Sequence, residues 1–108
     1  MGIGFGRVVV NGREHDDPYR AGLDKVPLFE VVSVSGPRYR VEQMDQHRWR
    51  VGRMDETLGV AEGSIRRGGN TLNRWYSYTR KGRLLALGHQ NVFINAVFGL
   101  IGDLDRRQ

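Results

Sequence analysis

A chain of 108 residues without a cysteine has room for one hydrophobic core held by packing alone, so disulfides, thiolate nucleophiles and cysteine-bound zinc are excluded and a reducing cytoplasm is the expected location. Apolar residues make up 39% of the chain and charged residues 27%, and the longest apolar run, Val92 to Ile101, is broken by Asn95 and falls short of the roughly 18 residues a membrane span requires. The net charge is +5, the pI is near 10.2, and all of the 17 basic residues except Lys25 and Lys81 are arginine; a GC-rich genome produces the same bias, but arginine is also the group that pairs bidentately with phosphate and stacks on bases.

The N-terminal MGIGFG has no extended apolar stretch before a small-residue cleavage site, and position 6 is glycine, so neither a secretory signal nor myristoylation is expected. Its glycines precede a strand, whereas a phosphate-cradling glycine loop follows one. The first strand is RVVV, Arg7 to Val10, closed by Asn11-Gly12, a dipeptide that accepts positive φ and marks a tight turn. REHDDPYRAGLDKVP then reads as an irregular polar excursion. LFEVVSV, Leu28 to Val34, is rich in β-branched residues and is bounded by Ser35-Gly36-Pro37.

RYRVEQM and HRWRVGR form the next pair, joined at Asp45-Gln46. Strand alternation puts Tyr39, Val41, Trp49 and Val51 on the core side. The opposite face holds Arg38, Arg40, Arg48 and Arg50, with Glu42 the only acid among them. Asp55 caps a short helix expected near residues 56–66, weakened by Gly59 and Gly63. Within it LGVAEGSIRR, Leu58 to Arg67, resembles the turn and recognition-helix portion of helix-turn-helix DNA-binding domains, which would present Ser64, Arg66 and Arg67 to a major groove and use the next hairpin, tipped by Lys81, as a wing. HRWRVGR, a strand, stands where that pattern has its first helix.

NRWYSYTR, residues 73 to 80, alternates again: Arg74, Tyr76, Tyr78 and Arg80 on one face, Trp75 with the core on the other. Lys81-Gly82 turns it into LLALG. Asn91 then caps a helix in which Val92, Phe93, Ala96, Val97, Leu100, Ile101 and Leu104 recur at helical spacing, while Ile94 and Phe98 spread the apolar surface to further sides. Such a helix requires either a sheet that curls around it or a second chain.

The expected fold is therefore α+β: one domain over residues 1–108, with a curved antiparallel sheet of five or six strands on the C-terminal helix. Catalysis finds little support. His15-Asp16-Asp17 reads as a hydrated loop, His47 and His89 as surface or element-end residues, and no metal or cofactor is expected. The favoured function is a non-enzymatic, backbone-directed nucleic-acid-binding module, DNA or RNA, in which Arg38, Arg40, Arg48, Arg50, Arg74 and Arg80 meet phosphates and Tyr76 and Tyr78 stack on bases. The alternative is an assembly protein, such as a phage or mobile-element accessory or virion component, that docks on a protein partner or a second copy through Ile94, Phe98 and Ile101.

Overall fold

The computed structural model describes residues 6–15, 17–18, 22–54, 62–69, 73–90 and 92–106. Among these residues, strands β1 (Arg7–Val10), β2 (Arg13–Glu14), β3 (Leu28–Val32), β4 (Arg38–Asp45), β5 (Arg48–Arg53), β6 (Gly63–Gly68), β7 (Arg74–Thr79) and β8 (Leu84–Gln90) precede one α-helix, α1 (Phe93–Arg106). They form one antiparallel sheet in the order β2-β1-β3-β4-β5-β6-β7-β8, which is not closed. Among the described residues no helix is long and apolar enough to cross a membrane. The α+β class holds, with eight strands in place of the five or six expected.

Local chemistry explains the connections. Asn11 and Gly12 have φ of 52° and 80°, which is the pair of left-handed residues a two-residue hairpin needs, and Val10 pairs with Arg13 across it. Beyond β2 the chain returns through a 3₁₀ turn, Leu23–Lys25, to place β3 on the free side of β1. Every later strand pairs with its predecessor. Gly82, at φ 86°, closes the β7–β8 turn, where Thr79 N–H donates to the Arg83 carbonyl at 2.8 Å.

Two strands go beyond the expected set. β2 is only two residues long, and β6 falls where the short helix near 56–66 was expected; residues 55–61 lie outside the described ones. Ser64, Arg66 and Arg67 therefore belong to an extended strand, and the helix-turn-helix reading loses its recognition helix.

The core lies between the inner face of the sheet and α1. Cross-strand pairs stack Phe29, Val41, Val51 and Gly63 in one inner row and Trp49, Ile65 and Ser77 in another. Phe93, the first residue of α1, is caged by Trp49 at 4.8 Å, Trp75 at 6.1 Å and Phe29 at 6.2 Å between ring centres. Gly63 marks the closest approach of helix to sheet, since a Cβ there would stand 2.8 Å from a Leu100 methyl and from the Tyr78 carbonyl oxygen. Ser77, buried opposite the helix, donates its hydroxyl to the Ala96 carbonyl at 2.9 Å.

The far end of the helix is tied by a carboxylate. Asp105 accepts from the hydroxyls of Ser33, Ser35 and Tyr39, pinning the last turn of α1 to the β3–β4 connection. An acid at a helix C-terminus is opposed by the helix dipole, so these bonds account for its presence. Burial pushes the Asp105 carboxyl up, but the Ser33, Tyr39 and Ser35 hydroxyls and the nearby Arg53 charge outweigh burial and hold it below the usual carboxylate range.

Ile94, Phe98 and Ile101 are only 2%, 7% and 1% exposed. The sheet takes the surface that these residues were expected to offer to a protein partner. The strands β6, β7 and β8 and the turn Leu23–Lys25 all pack against α1.

Candidate nucleic-acid interface

The face of the sheet turned away from α1 carries two in-register rows. Arg48, Arg66 and Tyr76 stand opposite one another across β5, β6 and β7, and beside them run Glu42, Arg50, Ser64 and Tyr78 across β4 to β7. One step further, Gly68 faces Arg74. On the β3–β4 side the sequence Glu30, Arg40, Gly52 forms a third row, and Arg38 pairs with Val32. The alternation that buries Trp49 and turns Trp75 inward is what presents these side chains to solvent.

Six of the eight arginines and tyrosines expected to form one surface come together on β4, β5 and β7 with their predicted facing, and Arg74 extends them at the start of β7. Arg80 does not. It falls in the turn after β7 and lines a cavity of about 340 Å³ with Glu62, Lys81, Arg83 and Asp103.

Within the face, geometry fixes the rings. A Cβ on Gly68 would lie 3.1 Å from the Tyr76 ring, so that ring rests against a strand position with no side chain. The Arg66 guanidinium carbon stands 5.3 Å from the centre of the Tyr78 ring, within cation–π range. Ser64, the smallest side chain of its row, stands between Arg50 and Tyr78.

Three of the cations are held by their own chain. Arg38 pairs with Glu30 at 3.2 Å, Arg50 with Glu42 at 2.9 Å and Arg48 with Asp45 at 2.7 Å. Asp45 is fixed further by the His47 backbone N–H at 2.8 Å, and that bond, followed by the Arg48 guanidinium, holds its carboxyl below the ordinary range, so it is ionised at neutral pH. The expectation of a nearly acid-free arginine face on β4 and β5 is thus corrected. Arg40, Arg66 and Arg74 have no carboxylate partner among the described residues, and the positive centre lies toward β6 and β7. Exposed pairs of this kind contribute only about 0–1 kcal/mol each and yield readily to a competing anion.

Arg66 is the residue that sequence reasoning assigned to a different structure. Its position on the outer face follows from the pairing of β6 with β5, whose register sets Arg48 against Arg66. Arg67, its neighbour, points the other way: its guanidinium carbon lies 5.6 Å from the Trp49 ring and 5.2 Å from the Trp75 ring, and its Nη2 donates to Asp24 at 2.7 Å. Among the described residues no group of three or more acidic or histidine side chains is gathered to hold a metal ion; Asp16 lies outside them.

Compared with models of known protein families, with curated proteins and with solved structures, the chain matches none.

Proposed function

We propose that the outer face of β5 to β7 is a platform for single-stranded nucleic acid, with Arg48, Arg66 and Arg74 meeting phosphates and Tyr76 and Tyr78 stacking on successive bases. The observation that carries this reading is the pair of adjacent rows, Arg48–Arg66–Tyr76 and Arg50–Ser64–Tyr78, in which cations on β5 and β6 stand beside two rings on β7. Strands lie about 4.8 Å apart, a spacing over which one backbone can reach several of these groups. Arg40, Arg50 and Arg38 widen the basic field; the latter two would exchange Glu42 and Glu30 for phosphate on binding.

Stacking on ring faces favours unpaired bases, each worth about 1–3 kcal/mol on alanine substitution. A fluorescence-anisotropy titration of a labelled oligothymidylate against Tyr76→Ala and Tyr78→Ala variants tests this. Loss of at least tenfold in affinity for each, with duplex of the same length bound more weakly, is the expected result. Unchanged affinity in both variants would remove the platform.

A further inference from the structure

Beside the β4–β5 turn, four nitrogen atoms are buried without a hydrogen-bond partner: His47 Nδ1, Trp49 Nε1, Arg67 Nε and Trp75 Nε1. They form one neighbourhood. The Arg67 guanidinium lies over both indoles, and its backbone N–H donates to the His47 carbonyl at 2.7 Å. Both indole nitrogens and Arg67 Nε can only donate, and His47 Nδ1 donates in the tautomer that places hydrogen there. Buried donors in folded proteins nearly always meet an acceptor, so a local group of this kind points to an acceptor-rich ligand.

A shallow, open depression of about 580 Å³ lies at this place, lined by Asp45, Gln46, His47, Arg48, Arg66 and Arg67. His47 and Arg67 also line a second depression of about 400 Å³, on the side of Asp24 and Lys25. Across the first depression Arg48 and Arg66 are directly opposed in the β5–β6 register. Like charges so placed repel each other. Asp45 neutralises Arg48 alone, Asp24 is engaged with Arg67, and Arg66 is left without a carboxylate among the described residues. The lining therefore keeps an excess of positive charge and a surplus of donors in the same space.

We infer that this depression is a phosphate-ester site. Arg48 and Arg66 would grip a phosphate from two strands, each offering a planar fork matched to its oxygens, with His47 and Arg67 lining the same opening. Two guanidinium forks opposed across one opening suit a tetrahedral anion with several acceptor oxygens better than a planar carboxylate. A volume of about 580 Å³ exceeds what a phosphate group alone fills and leaves room for an attached nucleoside. The inference rests on the platform reading for the origin of the ligand: Arg66 belongs to both, so a strand anchored here by one phosphate would run past Arg66 onto Tyr76 and Tyr78.

The test is NMR on the ¹⁵N-labelled full chain, following the Arg67 Nε–H signal and the indole N–H signals of Trp49 and Trp75, with inorganic phosphate and then thymidine 5′-monophosphate added at constant ionic strength. Saturable movement of the Arg67 signal with both, absent with chloride, is expected, and the nucleotide should bind tighter. Arg66→Gln should weaken nucleotide binding about tenfold, the effect of one charge-assisted contact, while Arg13→Gln, on β2, should leave it unchanged; each variant's spectrum reports whether it is folded. Non-saturable shifts equal to those with chloride, or equal affinity in Arg66→Gln, would overturn the site even if oligonucleotides still bound the outer face. Saturable nucleotide binding in a chain that ignores oligothymidylate would keep the site and discard the platform.

Discussion

Gly63 and Gly99 show that the same residue can be required at one place and wasteful at another. At Gly63 a methyl group would meet Leu100 and a backbone oxygen at 2.8 Å, and the oxygen cannot step aside without moving β7. Gly63→Ala should therefore destabilise the fold by about 1–3 kcal/mol, as overpacking does. On α1, a methyl group added at Gly99 or Gly102 would meet no neighbouring atom within 4 Å, and alanine at each should add about 0.5–1 kcal/mol of stability by restricting the unfolded chain. Denaturant midpoints measured for the three variants check both signs. Asp105 supplies a pH signature. Its carboxyl is held below the usual range in the folded state, so its contribution is complete above the unfolded value and is lost as pH falls through the folded one. Asp105→Asn should lower stability at neutral pH by about 2 kcal/mol, in line with bonds to a charged acceptor, and should flatten the stability profile below about pH 4. A series of melting curves from acid to neutral pH reads both effects.

At the scale of elements, the strands that the sequence shows are those in which alternation is carried by β-branched and aromatic residues. β3, β4, β5 and β7 follow that pattern, as do the Asn11-Gly12 and Lys81-Gly82 turns, whose left-handed residues announce themselves. β6 is hidden for a tertiary reason. Its GSIRRG contains one β-branched residue, and its leading glycine answers to Leu100, a partner far along the chain; in isolation the same letters suit a helix end. The partners of the arginines are legible in part. A two-residue turn at Gln46-His47 sets Asp45 opposite Arg48, but Glu42 comes to face Arg50 only through the register shift between Gln43 and Asp45, which composition does not foretell. Because β6 joins β5 to β7, it is also the element on which the platform depends. Arg66→Gln should reduce oligothymidylate affinity by about 1–2 kcal/mol, more than Arg38→Gln, whose guanidinium is already satisfied by Glu30. Anisotropy titrations of the two variants side by side give the ranking.

For the whole molecule, net charge and its placement set the response to salt. With about four phosphates engaged on a single strand, the logarithm of affinity should fall against the logarithm of salt with a slope near −3. The three internal ion pairs make this shallower than a face of free arginines would give, since each carboxylate lost to solvent on binding offsets part of the counterion release. Titrations between roughly 50 and 300 mM salt measure the slope, and a flat line would remove phosphate contacts from the account.

The position of α1 after all eight strands has a further consequence for how the chain is made. Until the segment beginning at Phe93 has emerged from the ribosome, the nascent sheet has no lid for Trp49, Val51 and Ile65, and chaperones would meet a bare greasy trough. A translation product cut short before that point is therefore a substrate for proteolysis and not a weaker version of the protein, so the arrival of this one helix acts as a checkpoint on synthesis.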